Sequence, residues 1–177
     1  MQHLLIKEIP KYDHIVACSS RYPDMNPDAI AAFMYILRAG DEVFRAVSRT
    51  FRERNISQGR IMLMVHLLDK ENDSALEMSH AELADQLCVT RATVSGLVDG
   101  LVKDGLARRR PSSTDRRVSK VSLTEDGFSL LEEVLPKHYQ LINRLMDVFD
   151  PKELRTMGKL MNKLVDHIAE VDPPETP

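Results

Sequence analysis

The sequence predicts a mainly α-helical protein that carries one small β-hairpin. Leu, Met, Ala, Glu and Lys are plentiful, whereas aromatic residues make up only 5% of the 177 residues. This composition favours helices over sheets. Apolar residues recur every three or four positions along most of the chain. Residues 106–123 differ, because two extended runs there flank a polar turn.

The first half of the chain predicts two helices after an irregular N-terminal segment. Residues 1–27 contain three prolines and are expected to be irregular. Pro27 and Asp28 suit the first turn of a helix, which should run to about Arg54. Ser57 suits the N-cap of a second helix that ends near Asp69. A polar loop and a short strand over residues 75–78 are expected to follow.

Two further helices are predicted by their capping residues. Ser79 and Glu82 have the spacing of a capping box at the start of a short helix. After a tight turn, Thr90 is the expected N-cap of the next helix, and Gly105 stands where a C-terminal glycine belongs. The apolar stripe of that helix has the spacing i, i+3, i+4, i+7 and predicts its buried face. The stripe consists of Val94, Leu97, Val98 and Leu101.

The rest of the chain predicts a hairpin and two long helices. The hairpin strands are expected at residues 106–110 and 118–123. Thr124 precedes acidic residues that suit the first turn of a helix, and Pro136 inside that helix should kink it. Asp150 and Pro151 begin the last helix, and residues 172–177 form a Pro-rich tail that we expect to be loose.

Charge is unevenly distributed along the chain. Residues 88–120 contain eight basic and three acidic side chains, although the whole chain carries a net charge of -3. A local basic surface on an acidic protein can contact phosphates. A solvated charged face is the alternative, and the pattern within the window decides between them.

That pattern favours double-stranded DNA as the partner. The outward face of the helix after Thr90 begins with small or hydroxylic residues and one arginine, which suits entry into the major groove, about 12 Å wide. Gly96 and Gly100 weaken the helix, so we expect close approach to DNA or to a neighbouring helix. The basic hairpin can enter the adjacent minor groove. The candidate DNA contacts are Thr90, Arg91, Ala92, Thr93, Ser95, Gly96, Lys103, Arg110, Asp115, Arg116, Arg117 and Lys120.

The sequence also resembles a known family. Residues 88–101 (CVTRATVSGLVDGL), 105–110 (GLARRR), 115–117 (DRR) and 121–127 (VSLTEDG) look like the MarR family, the multiple antibiotic resistance regulators. The Asp-x-Arg of the wing, here Asp115 and Arg117, is the hallmark of that family. The resemblance covers about residues 28–170. It implies a winged helix-turn-helix and a helical dimerisation lobe.

The resemblance implies a homodimeric regulator, usually a repressor, that reads a near-palindromic operator. Residues 28–56 and 124–171 would form the dimerisation lobe and residues 57–123 the DNA-binding lobe. The last helix has the apolar spacing that a seam between helices needs. The alternative, that this apolar stripe is buried within its own chain, is also compatible with the sequence. Its candidate dimerisation residues are Leu154, Met157, Met161, Leu164 and Ile168.

Members of this family commonly release DNA when a small molecule binds between the two lobes. The N-terminal extension and the kink at Pro136 resemble the subgroup that answers to lipophilic or phenolic compounds. Candidate ligand-binding residues are Phe33, Leu37, Met62, His66 and Tyr139, although each is more often a core residue. Redox sensing through Cys18 or Cys88 is a weaker alternative, because the peroxide-sensing members place a cysteine inside the first helix.

Other classes of protein fit the sequence less well. No phosphate-binding glycine loop or catalytic motif is present, so an enzyme is not expected. A winged-helix module that binds other proteins would need a wing without net positive charge. The six histidines show no ligand spacing, so we expect no metal and no cofactor. We find no signal peptide or membrane-spanning run and expect a cytoplasmic protein.

Overall fold

Helices dominate the computed structural model, which describes residues 8–52, 54–69, 74–112 and 118–171. Seven helices and five short strands lie within these ranges, so the predicted mainly α-helical fold with a small hairpin is confirmed. The helices are α1 (Tyr12–Ser19), α2 (Pro27–Arg52), α3 (Gln58–His66), α4 (His80–Leu87), α5 (Arg91–Lys103), α6 (Glu125–Met146) and α7 (Pro151–Val171). The strands are β1 (Leu68–Asp69), β2 (Ser74–Ala75), β3 (Met78–Ser79), β4 (Ala107–Pro111) and β5 (Ser119–Leu123).

Helix α1 lies in the segment that the sequence predicts to be irregular, and that prediction is wrong for residues 12–19. Lys11 at its N-cap makes no side-chain hydrogen bond, so the usual starting signal is missing. The helix depends on packing instead. Ile15 is only 4% exposed, and the hydroxyl of Tyr12 donates to Oδ1 of Asp28, at the start of α2, over 2.6 Å.

Helices α2 and α3 begin where the sequence predicts. Asp28 stands in the first turn of α2, and Oγ of Ser57 accepts the backbone N–H of Arg60 at the start of α3. Helix α3 ends three residues before the predicted Asp69. It ends early because β1 pairs with β2 in an antiparallel ladder, an interaction that the local sequence does not reveal. The predicted strand over residues 75–78 is instead divided between β2 and β3.

The capping predictions for α4 and α5 are confirmed. Ser79 and Glu82 form a reciprocal capping box, and Oγ1 of Thr90 accepts the N–H of Thr93. Between the two helices, Cys88 adopts a left-handed conformation with φ 51°, which makes the tight turn. Gly105 follows α5 with φ 74°, a conformation that residues with a β-carbon rarely adopt.

The hairpin belongs to a three-stranded antiparallel sheet in the order β3-β5-β4. Strand β5 therefore lies in the centre, with Lys120 opposite Ser79 on one side and Arg110 on the other. Both hairpin strands begin one residue later than predicted. Strand β3 leads directly into α4, so the sheet joins the hairpin to the first helix of the helix-turn-helix.

One hydrophobic core fixes the orientation of α5. Val94, Val98 and Leu101 are fully buried and Leu97 packs against them, so the predicted buried stripe is confirmed. Helices α3 and α4, strand β5, the end of α2 and the first part of α6 also contribute to this core. Their buried side chains include Phe51, Leu63, Met64, Leu83, Val121, Leu123, Leu131 and Val134.

The chain divides into two compact units, Met1–Lys137 and His138–Pro177. The division falls inside α6, one residue beyond Pro136, and α6 is continuous through that proline. The predicted lobe boundaries stay a prediction. No helix within the described ranges combines the length and apolar character that crossing a membrane requires.

Candidate nucleic-acid interface

The first turns of α5 present a narrow, exposed surface. Arg91, Ala92, Thr93 and Gly96 are exposed, and Ser95 is half-buried. A β-carbon at Gly96 would meet no atom within 4 Å, so this face of the helix is open. A slender helix end of this kind fits a groove that bulky side chains would block.

The hydroxyl groups of Thr90 and Thr93 at the start of α5 are hydrogen-bonded to each other. Oγ1 of Thr90 lies 2.9 Å from Oγ1 of Thr93, and the N–H of Thr93 donates to Oγ1 of Thr90 over 3.1 Å. The cap therefore fixes both side chains. The contact between the two oxygens uses one of the two hydroxyl hydrogens, so the other is available to donate to a phosphate or a base edge.

Basic side chains cover the outer strand of the hairpin. Arg108, Arg109 and Arg110 are all exposed on β4. Of the tip predicted to enter the minor groove, Asp115, Arg116 and Arg117 lie outside the described residues. The backbone N–H of Ser112 donates to the carbonyl of Val118 over 2.8 Å, which closes the hairpin on either side of that tip.

Two cations of the hairpin are held by carboxylates of the helix-turn-helix. Nη2 of Arg109 lies 2.5 Å from Oδ1 of Asp99 on α5, and Nζ of Lys120 lies 2.6 Å from Oε2 of Glu82 on α4. These ion pairs fasten β4 and β5 to α5 and α4. Lys120 was expected to contact DNA, and its ion pair also gives it a structural role.

Three of the predicted DNA contacts make no ion pair with another described residue. They are Arg91 at the start of α5, Lys103 at its end, and Arg110 on β4. Their charges are therefore not neutralised by the carboxylates that the structure describes. Cations of this kind can exchange counterions for phosphates at little cost in broken contacts.

The hydrogen bonds of Glu82 favour the ionised form of its carboxyl group. The hydrogen bond from Lys120, followed by those from the backbone and side chain of Ser79, lowers the pKa of Glu82 to about 2. Stability that depends on this carboxylate is complete above its ordinary pKa of 4.5 and is lost as the pH falls toward about 2. Sequence reasoning found the capping box but missed the ion pair, because Lys120 lies 38 residues away.

Replacement of Glu82 by glutamine should make the stability of the protein less dependent on acid. Gln can still cap the helix, but it loses the ion pair with Lys120 and cannot be protonated in this range. We expect the melting temperature of wild type to fall more steeply than that of Glu82→Gln between pH 4.5 and 2. Glu77→Gln, at an exposed position, is the control and should follow wild type. Parallel curves for wild type and Glu82→Gln would contradict the role assigned to Glu82.

The two glycines of α5 serve different purposes. Gly96 faces open space, as close approach to DNA would require. At Gly100, by contrast, a β-carbon would overlap the guanidinium of Arg60 on α3. Of the two explanations that the sequence allowed for Gly100, the neighbouring helix is the one supported. Sequence reasoning did not identify Arg60, because no local pattern links it to α5.

Most of the predicted ligand-binding residues are exposed. Phe33, Leu37 and Met62 are exposed, His66 is half-buried with Nδ1 2.8 Å from the carbonyl oxygen of Met62, and Tyr139 belongs to the second compact unit. A cavity of about 650 Å³ opens elsewhere, between α2 and the start of α3. None of the five lines it. Its lining consists of Phe44, Ser48, Asn55, Ile56, Ser57, Gln58 and Gly59.

Comparison with known proteins shows which family the chain resembles. Residues 63–119 match the model of the MarR family. The chain is 28% identical to the HTH-type transcriptional repressor YetL of Bacillus subtilis, over 93% of this chain and 96% of YetL. It is 24% identical to the transcriptional repressor MprA of Escherichia coli, over 87% of this chain and 86% of MprA.

A solved structure shows the same fold. Sco3205, a MarR family transcriptional regulator from Streptomyces coelicolor determined in complex with DNA, superposes with a TM-score of 0.75. The two sequences are 21% identical, and the match covers 86% of this chain and 92% of Sco3205. The helix-turn-helix and hairpin described above are therefore a winged helix.

Proposed function

We propose that the chain is a transcriptional regulator of the MarR family that binds a near-palindromic DNA operator as a homodimer. In this proposal it acts as a cytoplasmic repressor rather than an enzyme, and a small lipophilic or phenolic ligand releases it from DNA. One observation carries the proposal. The exposed, slender start of α5 lies in the same winged helix as the arginine-rich strand β4.

The first step concerns DNA contact. The start of α5 would enter the major groove, where Arg91 can make paired hydrogen bonds to guanine or to a phosphate. Thr93 and Ser95 can bond to bases or phosphates from the same face. Arg110 and the wing tip would lie along the adjacent minor groove. The DNA complex of Sco3205 supports this step.

The second step concerns dimerisation. Helix α7 is 21 residues long and has no buried residue. Met161, Leu164 and Ile168 are 39%, 36% and 51% exposed although they follow a helical apolar spacing. An exposed apolar stripe of this length usually marks a protein interface. A second copy would cover it and would present two α5 helices about one DNA turn apart.

The third step concerns ligand release. BpsR from Bordetella bronchiseptica is a structural neighbour whose DNA binding is regulated by 6-hydroxynicotinic acid. A phenolic or lipophilic ligand of the present chain would contact the exposed apolar residues Phe33, Leu37 and Met62. His66 would supply a polar atom for a hydroxyl group.

Salt dependence tests the DNA-binding role. Duplexes selected from a random pool should bind the protein with an affinity that falls steeply as salt rises, because phosphate contacts release counterions. Arg117→Ala should weaken binding by about 1–3 kcal/mol and, if the wing contacts phosphates, reduce the salt slope by about 1. Lys152→Ala, outside the basic window, is the control. Fluorescence anisotropy between 50 and 300 mM salt measures both; a flat dependence would favour a protein-interaction module.

A further inference from the structure

We propose that Arg60 is a positioning residue that clamps the C-terminal end of the recognition helix α5 to α3. The inference rests on the proposed DNA-binding function. Arg60 lies outside the groove-facing surface of α5, yet the accuracy with which α5 recognises bases depends on it. Nη1 of Arg60 lies 2.7 Å from Oδ2 of Asp104, the C-cap residue of α5. The two residues are 44 positions apart in the sequence.

The guanidinium of Arg60 fits closely against the backbone of α5. Its Cζ and Nε lie 2.5 and 2.7 Å from the place that a β-carbon of Gly100 would occupy. Only glycine leaves room for this contact. Glycine inside a helix costs about 1 kcal/mol relative to alanine, so the contact with Arg60 gives a physical reason for Gly100.

Arg60 is held both at its backbone and at its guanidinium. Its backbone N–H donates to Oγ of Ser57, the N-cap of α3, over 3.3 Å. Its guanidinium reaches the last turn of α5, where the backbone N–H of Asp104 donates to the carbonyl of Gly100 over 3.1 Å. A cation is favourable near the carbonyl end of a helix. Arg60 therefore joins the cap that begins α3 to the cap that ends α5.

A clamp at the C-terminal end of α5 affects how the N-terminal end of this helix contacts DNA. A β-carbon at Gly59 would lie 3.4 Å from Leu97, so α3 also packs against the middle of α5. Loss of Arg60 would leave that packing in place but would free the last turn to shift. Base contacts require a side chain to be placed within about 0.5 Å. Binding to phosphates alone is far more tolerant, since it depends on charge.

The clamp therefore predicts a specific pattern of loss. Arg60→Met keeps the length of the side chain and removes its charge. We expect its affinity for the selected operator to fall about tenfold, with little change in affinity for unrelated duplexes or in melting temperature. Asp104→Asn should show a similar loss of operator affinity. The double variant should lose no more affinity than either single variant, because both substitutions remove the same contact between Arg60 and Asp104.

Hydrogen exchange tests the clamp without DNA. In the full-length protein, Arg60→Met should speed amide exchange in the last turn of α5, and Gly100→Ala should do the same by displacing the guanidinium. Gly96→Ala is the matched control in the same helix, because its methyl group would meet open space. Unchanged exchange in Arg60→Met would overturn the proposal.

The DNA measurements separate the remaining outcomes. Equal loss of affinity for operator and unrelated duplexes would make Arg60 a phosphate contact and would overturn the positioning role. A lower melting temperature with unchanged operator preference would reduce Arg60 to a stabilising residue, which also overturns it. If wild type ignores every duplex, the proposed function fails, and the positioning role fails with it. Hydrogen exchange identifies that case, because the clamp itself would still be detected.

Discussion

Leu164→Glu combined with Ile168→Glu should convert the protein to a monomer and greatly weaken operator binding. Both side chains lie in the exposed apolar stripe of α7, and neither is buried within its own chain. In the proposed homodimer a second copy covers them. Two added carboxylates on each copy would then be desolvated against apolar surface, which is costly without a paired cation.

The loss of affinity follows from the loss of one half-site. A dimer that occupies two half-sites gains about 10²–10⁴ in affinity over a single module, because the second contact is intramolecular. We therefore expect a loss of about 100-fold or more in operator affinity by fluorescence anisotropy. Sedimentation equilibrium in the same buffer measures the mass of the protein and so distinguishes a monomer from a dimer.

Asn162→Glu is the matched control for this variant. It adds a carboxylate to the same helix at an exposed polar position, and it should remain dimeric and bind DNA as wild type does. A double variant that stays dimeric would place the interface elsewhere. A wild-type protein that sediments as a monomer would exclude the homodimer altogether.

Gly127→Ala should reduce the free energy of unfolding by about 2–3 kcal/mol, which is at the upper end of the usual range for overpacked sites. Gly127 is buried in the first turn of α6. A β-carbon there would overlap the carbonyl oxygen of Leu106 and would lie 3.4 Å from Cδ2 of Leu123. Backbone atoms cannot move aside as the end of a flexible side chain can.

The crowded position of Gly127 is part of a hydrogen-bonded corner. Oγ1 of Thr124 donates to the carbonyl of Gly105 over 2.7 Å and accepts the N–H of Gly127 over 3.1 Å. The N–H of Thr124 donates to the carbonyl of Leu106 over 3.2 Å. A methyl group would force α6 away from the base of the hairpin and strain these bonds.

Urea denaturation monitored by circular dichroism measures the effect of Gly127→Ala. Gly96→Ala is the control, because its methyl group meets open space and alanine favours the helix by about 1 kcal/mol. The control should be as stable as wild type or more stable. Equal stability of Gly127→Ala and wild type would show that α6 can shift at no cost.

Capping residues made the helix-turn-helix predictable from the sequence. Ser57, Ser79 with Glu82, and Thr90 each begin the helix that they were expected to begin. Gly105 follows α5 at the predicted position, with a positive φ that favours glycine. These signals act over three or four residues, so the order of neighbours along the chain is sufficient to read them.

Predictions about the candidate site were less complete, because contacts between residues that are distant in the sequence leave no local signal. The sequence placed Thr93 and Gly96 on the outward face of α5 and Arg91 at the flank of that face, because helical periodicity is local. It did not reveal that Arg109 is paired with Asp99 or that Lys120 is paired with Glu82. Which cations stay available to DNA depends on these pairs and not on the count of basic residues.

The sequence by itself determined the helix starts, the buried stripe of α5 and the basic hairpin, because each depends on residues that are close along the chain. Only the tertiary structure decided that residues 12–19 form a helix, since Ile15 needs the surface of α2 to bury its side chain. The tertiary structure also decided the partner of Arg60. Contacts between distant residues arise when the core closes, and Gly100 and Asp104 come within reach of Arg60 only at that stage.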